Sequence, residues 1–474
     1  MKKNISKDKN IENENAISNM KINIEMHSNS IEILNKEKKE KKILKIKIII
    51  AIIYYILIIS SEFSYRKKLF SKSIELEEKI QENYEKDCSF EKFWKLISHF
   101  GTAKITMFTW IIIFSTFPIN YSFQYLQSII YTSYLTNLFK MFYRNNRPYW
   151  ESEKIIFACN SGYGNPSGHS MTSSCVYLSL ATILTDFKIF QKNKKGIIFK
   201  VIIYFLFIIL MFMIMSSRII LGAHSLNQVI YGFLLGLGNY FVIFYILSFH
   251  KYNNFDFLNF FQKKFNNLIF MIFHLVLVII TIITYFSVKE SNIDEITKKI
   301  FNGVRCKIKK DYLMFKNDGL YQSLSISAVI GAHLGILILI MLIEKKFGHV
   351  SEKLIIWNRV IFKYWLFRLP ILIVSGIGII LYFLIPGKWN LALVFIFKSI
   401  IPFFLATFGL YSFGIYYSIY YGFSYYQVDY NNINKNKNEN ENENEYQNGK
   451  EIPKENIKES PIRIEMHKLD ENKK

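Results

Sequence analysis

Apolar residues in this chain come in blocks rather than in periodic stripes. Stripes every three or four residues mark helices with one wet face, and strict alternation marks half-buried strands. Unbroken blocks approaching ~20 residues mark helices that cross a bilayer. Such blocks fall at about 43–62, 103–118, 121–142, 168–186, 199–216, 226–248, 267–288, 323–344, 365–386 and 391–420, the second and fourth being the weakest. The pattern predicts an all-α, polytopic transmembrane protein of about 9–10 spans. It predicts no separate soluble domain.

The blocks are bracketed by polar sequence. Residues 1–42 mix Lys, Glu and Asn and lack the basic start, apolar stretch and small-residue cleavage site of a signal peptide. Residues 429–474 contain the low-complexity run NKNKNENENENE. Both segments have too little apolar surface to offset the entropy of ordering and are expected to be disordered. Between them, 43–102 is expected to hold an extra transmembrane helix and a linker.

Charge then orients the spans. The loop 187–198 carries Lys188, Lys192, Lys194 and Lys195 with no acidic residue, and the stretch 345–363 carries Lys345, Lys346, Lys353, Arg359 and Lys363. Positive loops stay on the cytosolic side. Alternation places both tails there too, and puts 63–102, 143–167, 217–225 and 289–322 on the opposite, lumenal or extracytosolic side. The formal net charge of +22 does not indicate nucleic acid, because the basic residues flank apolar spans and form no patch interleaved with exposed aromatics. No nucleic-acid partner is expected; membrane lipids are. Of the four cysteines, Cys88, Cys159 and Cys306 fall on the non-cytosolic side, where oxidation is possible, and one pair among them is expected to be bridged. No CxxC pair and no Cys/His cluster has metal-ligand spacing, so neither a metal nor another cofactor is expected.

Three polar clusters stand at span ends on that non-cytosolic side. They are Lys140-MFYRNN-Arg147-Pro148, Pro166-Ser167-Gly168-His169, and Ser217-Arg218-IILGA-His224. Singly each has an ordinary explanation: Lys140 can snorkel to the interface, Arg147 and Arg218 can be loop charges, and Pro-Ser-Gly-His can be a turn with a helix cap. Together they make a chemical set. Three cations can surround a tetrahedral dianion and neutralise charge that builds during phosphoryl transfer. Ser167 and Gly168 at a helix start offer unpaired backbone N–H groups to an anion. Of two histidines, one can attack phosphorus and the other can protonate the departing alkoxide.

The ordered trio resembles the type 2 phosphatidic acid phosphatase superfamily, whose pattern is Lys-x6-Arg-Pro, Pro-Ser-Gly-His and Ser-Arg-x5-His-x3-Asp. The resemblance spans 140–228 and implies a six-helix phosphatase core at 103–248, followed by additional transmembrane helices at 249–428. It implies phosphate-binding roles for Lys140, Arg147, Ser167, Gly168 and Arg218. It implies that His169 protonates the leaving group and that His224 becomes a phosphohistidine. One position departs: the terminal Asp is Gln228, which shares a helical face with His224 and is expected to orient it without supplying a carboxylate's charge. Glucose-6-phosphatases of the superfamily also carry Gln there. They are further similar in RPYW (147–150), in the C-x-x-G-x-G-x-PSGH-x-M run from Cys159 to Met171, and in having five spans after the nucleophile.

The function expected is therefore a phosphomonoesterase similar to glucose-6-phosphatase, acting on a sugar phosphate at the lumenal face of the endoplasmic reticulum. The alternative is the same chemistry on a lipid phosphate such as phosphatidate, a sphingoid-base phosphate or a polyprenyl phosphate. A third reading, resting on Gln228 alone, is an inactive relative serving as transporter or scaffold; whether a transporter feeds the site is open. Tyr149 and Trp150 read as interface anchors or pocket walls, the former ahead. His274, His333 and Lys398, inside predicted spans, carry no motif and are assigned no function.

Overall fold

The computed structural model describes residues 2–84, 88–152, 154–155, 162–186, 194–248, 254–287, 319–320, 322–347, 353–357, 393, 395–414, 416 and 424–428. Residues 1–427 form one compact unit. The helices are α1 (Lys2–Tyr84), α2 (Cys88–His99), α3 (Ala103–Thr116), α4 (Ile119–Tyr143), α5 (Pro148–Glu151), α6 (Gly168–Thr172), α7 (Leu178–Thr185), α8 (Lys194–Ile220), α9 (Leu226–Phe241), α10 (Asn254–Gln262), α11 (Lys264–Ser287), α12 (Ser327–Phe347) and α13 (Ile401–Gly409). A widened π-helical turn, Ser173–Tyr177, joins α6 to α7, and another, Val242–Leu247, extends α9. Among the described residues one short two-stranded sheet, β1 (Lys353–Trp357) with β2 (Ser424–Val428), is the exception to the all-α architecture.

Among the described residues five helices are long and apolar enough to cross a membrane: Lys41–Tyr84, Gly196–Ile220, Leu226–Leu247, Lys264–Ser287 and Leu324–Lys345. A sixth forms if Ser89–His99 and Ala103–Phe114, bent by 43°, count as one broken span. The chain is an integral, multi-pass membrane protein. The expected span 121–142 is present as α4 but fails a simple hydropathy test for a clear reason. It buries Gln124, Gln127, Ser128, Thr132, Thr136 and Asn137 against protein, so it need not be apolar. The expected span at 365–386 lies outside the described residues, and 391–420 lies partly outside them.

α4 is the central post. Its Phe123, Tyr125, Leu126, Ile130 and Tyr134 enter a core shared with Trp110 and Ile113 of α3, Phe257 and Phe261 of α10, and Ile336 and Leu339 of α12. α8 and α11 instead leave most apolar side chains outward, for example Val201, Phe205, Leu268 and Ile272, as lipid-facing helices do.

α1 differs from expectation in extent. Residues 2–42, expected as a tail, are helical, in keeping with a Lys- and Glu-rich composition of good helix formers. Residues 63–84, expected as linker, continue the same helix. The stretch Lys41–Tyr84 has 44 residues and so runs roughly 66 Å, about twice a bilayer's hydrocarbon core. Its second half therefore has to lie beyond that core, and there it crosses the loops that carry the three motifs.

Candidate active site

The first motif is placed by the end of α4. Lys140 sits in its last turn, and Arg144 stops the helix in the left-handed conformation (φ 47°), its N–H returning to the Lys140 carbonyl. The chain then runs extended to Arg147, and Pro148 opens α5 at a position where its missing N–H costs nothing. The second motif is a helix start. Ser167 caps α6, its hydroxyl accepting from the N–H and the hydroxyl of Ser170 (3.4 and 2.9 Å), so that Gly168 and His169 form the first turn.

The third motif is a helix end followed at once by a helix start. α8 closes with Ala223 N–H bonded to the Arg218 carbonyl (3.0 Å) and Gly222 N–H to that of Ile219 (2.8 Å), a Schellman pattern. Gly222 has φ +66°, and a side chain there would meet Ile155 and Gln81, so glycine is required. His224 follows directly and Ser225 begins α9.

The structure brings these three segments together. Lys140, Arg147 and Arg218 lie within electrostatic range of one another, and both His169 and His224 lie within range of all three cations. A methyl group built on Gly168 would stand 3.9 Å from Lys140 Nζ, which joins the first motif to the second. Arg147 Nη1 stands 3.1 Å from His224 Nε2 and donates to the Ala223 carbonyl (2.7 Å), while its Nε donates to the Gly162 carbonyl (2.6 Å). Arg147, Arg218 and His224 are nearly inaccessible to solvent, at 3%, 5% and 2% exposure. Among the described residues neither Lys140 nor Arg218 is paired with a carboxylate. Buried charges are costly unless compensated, so such a cluster is chemically suited to taking up an anion.

His224 is fixed at both ring nitrogens. Its Nδ1 faces the Gly164 carbonyl at 2.8 Å and Gln228 Oε1 at 3.3 Å, two acceptors, so the ring proton belongs on Nδ1. That leaves the Nε2 lone pair facing the cations. Burial, and then Arg147, Arg218 and Lys140, hold its pKa well below the ordinary histidine value. The imidazole is thus neutral and nucleophilic at neutral pH. Burial also lowers the Arg147 pKa, and the neighbouring Tyr149 partly offsets this.

Gln228 is fully buried and does more than orient the histidine. Its Nε2 donates to the Asn146 carbonyl (2.7 Å), its Oε1 accepts the Ser225 N–H (3.3 Å), and its own carbonyl accepts the Ser167 N–H (3.0 Å). One amide residue therefore fastens all three motifs. Since Ser167 spends its N–H on Gln228, the free donors of the α6 start are those of Gly168 and His169. One turn further along α9, Gly232 lets that helix approach the cap: a Cβ there would lie 2.5 Å from the Ser167 carbonyl oxygen.

Several participants carried no motif. Gly164 lies outside the three polar clusters, as the second glycine of the Cys159–Met171 run, and acts through its carbonyl, a role its residue type does not announce. Glu62 of α1, fully buried, accepts from Asn165 Nδ2 (2.7 Å) and Asn227 Nδ2 (3.4 Å), the neighbours of the second motif and of Gln228. Further along α1, Ser73 accepts the Leu226 N–H (2.8 Å), Gln81 donates to the Ile220 carbonyl (3.3 Å) and Glu82 pairs with Lys154 (2.8 Å). Residues 73, 77 and 81 share a helical face, a spacing legible in the sequence even though their partners were not. Tyr149 and Trp150 are not membrane anchors. They are buried with Ile155, Tyr163 and Ala223 and pack against Ile74 of α1, under the His224 loop.

Among the described residues no group of three or more His, Cys, Asp or Glu is placed to hold a metal ion. His274 is tied to the Tyr131 hydroxyl (2.6 Å) and the Phe270 carbonyl (2.7 Å), a local structural role, and the Lys398 side chain lies outside the described residues. So do Cys159 and Cys306 and the side chain of Cys88, and with them the expected disulfide.

The arrangement is that of a multi-pass membrane protein with three cations and two imidazoles gathered at the ends of its helices, and residues 121–255 match the PAP2 superfamily. Over 118 residues it is 26% identical to glucose-6-phosphatase 2 of Mus musculus, a match covering 21% of this chain and 33% of that protein. Over 84 residues it is 34% identical to phosphatidylglycerophosphatase B of Bacillus subtilis (strain 168), covering 18% of this chain and 38% of that one. The chain thus spans about a third of the length of each of these relatives. Among solved structures it is similar to a transmembrane PAP2-type phosphatidylglycerolphosphate phosphatase from Bacillus subtilis, at 20% identity and a TM-score of 0.35, over 41% of this chain and 93% of that one.

Proposed function

We propose that the protein is a metal-independent phosphomonoesterase that works through a phosphohistidine on His224. The observation that carries this reading is the geometry around His224. A neutral Nε2 faces three cations, Arg147 and Arg218 buried and Lys140 half-buried, and neither Lys140 nor Arg218 has a carboxylate partner among the described residues.

In this scheme Lys140, Arg147 and Arg218 hold the phosphoryl oxygens, with the N–H groups of Gly168 and His169 at the positive end of α6. His224 Nε2 attacks phosphorus; the P–N bond forms as the P–O bond to the leaving group breaks. His169, which takes up a proton once the bound phosphate dianion offsets the surrounding cations, gives that proton to the departing oxygen. Water, deprotonated by His169, then attacks the phosphohistidine, releasing phosphate and restoring both rings. Positive charge that develops on His224 is taken up through Nδ1–H to the Gly164 carbonyl. Gln228 keeps that contact in register.

The substrate we favour is a sugar phosphate, hydrolysed on the lumenal side of the endoplasmic reticulum. Support comes from Gln228 and the local sequences around all three motifs, which resemble glucose-6-phosphatases, and from the similarity to a protein of that name. The higher identity to phosphatidylglycerophosphatase B favours a second reading, a lipid phosphate handled by the same residues. Phosphate release by purified protein in detergent, from glucose 6-phosphate and from phosphatidate, a sphingoid-base phosphate and a polyprenyl phosphate, decides between them. Turnover of the sugar phosphate supports the first; turnover of lipids alone retires it.

A further inference from the structure

The break between α2 and α3 touches the site from a side that no motif marks. α2 ends in a turn, with Gly101 N–H bonded to the Ser98 carbonyl (3.0 Å) and Thr102 N–H to that of His99 (3.0 Å), and the helix axis bends by 43° there. The Tyr177 hydroxyl, about two turns past His169, donates to the Phe100 carbonyl (2.6 Å) and pins the turn. Gly101 lies directly on His169: a Cβ on it would come within 2.8 Å of His169 Cδ2 and 2.9 Å of Ile214, so no other residue brings this turn so close.

Three residues earlier, buried Ser98 accepts a hydrogen bond from Arg218 Nη1. This contact uses the oxygen of Ser98 and leaves its O–H to donate. Arg218 Nε is also buried and has no partner among the described residues. Arg218 Nε–H is therefore an unsatisfied donor among the described residues, and the Ser98 O–H, on the group that Arg218 already touches, is the donor this contact leaves for a second partner. Buried donors without acceptors are expected where a ligand supplies them.

We propose that Ser98 is a further phosphate-binding residue, its hydroxyl donating to the phosphoryl oxygen that Arg218 holds, and that the 98–102 turn is a fourth element of the site. This rests on the phosphatase reading above. The ligand chemistry is a tetrahedral phosphoryl group or its five-coordinate mimic, whichever ester carries it. The turn closes the cup between Arg218 and His169, on the side from which the leaving group departs.

The test uses the full chain in detergent, with orthovanadate and inorganic phosphate as inhibitors of the hydrolysis of a chromogenic phosphate monoester. A hydrogen bond to a charged group contributes about 1.5–3 kcal/mol, so Ser98→Ala is expected to raise both inhibition constants roughly 10- to 100-fold. Ser98→Thr, which keeps the hydroxyl, should stay within about 3-fold of wild type on the same scale. Should Ser98→Ala not elute as a monodisperse species, Ser98→Cys, a near-isostere with a weak donor, is read in its place. Unchanged inhibition constants in Ser98→Ala, with Arg218→Ala clearly weakened, overturn the inference while the phosphate site stands. A wild-type enzyme insensitive to both inhibitors overturns the phosphatase reading itself, and the inference with it.

Discussion

Replacing Glu62 by alanine tests whether the long first helix is part of the site or merely lies beside it. Glu62 is the acceptor for Asn165 at 2.7 Å and Asn227 at 3.4 Å, all three being buried. Removing it leaves the Asn165 amide as an unsatisfied buried donor, at about 1–3 kcal/mol, with a smaller loss at the longer contact and a cavity besides. The sum is roughly 2–4 kcal/mol of stability. Asn165 directly precedes Pro166 and Ser167, so part of that loss should appear in the transition state. A share of about 1–3 kcal/mol corresponds to roughly a 5- to 150-fold fall in kcat/KM. Neither asparagine requires a charge, only an oxygen, so Glu62→Gln should stay within about 1 kcal/mol of wild type in both measures. The assay is phosphate release alongside thermal unfolding in the same detergent. Wild-type kcat/KM and wild-type melting in Glu62→Ala would refute the claim that α1 holds the site. A Glu62→Gln variant as impaired as Glu62→Ala would show that the carboxylate acts through its charge, contrary to this reasoning.

Other expected outcomes follow from the same geometry. Gln228→Ala should lower kcat/KM about 10-fold without abolishing it, because the Gly164 carbonyl still holds His224; loss as complete as in His224→Ala would contradict that division. Gly232→Ala should cost about 1–3 kcal/mol in stability and lower kcat/KM, since its methyl group would force the Ser167 carbonyl away; unaltered kinetics would mean the cap position is irrelevant. The depressed pKa of His224 gives a sign for pH dependence. Below about pH 6.5 the unfolded chain takes up a proton that the folded ring refuses, so stability falls as pH drops and is unaffected above that value. His224→Gln should flatten this slope by up to about 1.4 kcal/mol per pH unit, as read from unfolding midpoints between pH 4.5 and 7. An identical slope in wild type and variant would show that His224 is not buried as a neutral ring.

What was legible in the sequence was whatever a side chain announces. Lys140, Arg147, His169, Arg218 and His224 stood out because their three clusters fall on one side of the membrane and together make a phosphate-binding set, and apolar blocks marked helices such as α8 and α11. What escaped was carried by the backbone or by distant partners. The Gly164 carbonyl, which holds His224 at 2.8 Å, is invisible in a list of residue types. Gln228 read as a weaker aspartate, whereas its amide is used in both senses, accepting from Ser225 and donating to Asn146, which a carboxylate cannot do. α1 was cut short at 62 because its apolar block ends there; Glu62, Ser73 and Gln81 gain their meaning only from the loops they meet. Trp150 and Tyr149 followed the statistics of interface aromatics and instead fill the space under the His224 loop, where a buried aromatic cluster supports the motif.

The covalent step on His224 is the claim everything else serves. Full-length wild type, His169→Ala and His224→Ala are incubated with a phosphate ester labelled on phosphorus, quenched, and assayed for protein-bound label at low and high pH. The account predicts label in wild type or, with slower breakdown, in His169→Ala, stable to base and labile to acid, and none in His224→Ala, which should also fail to turn over substrate. Hydrolysis at the wild-type rate by His224→Ala, or equal label with and without that histidine, would contradict it.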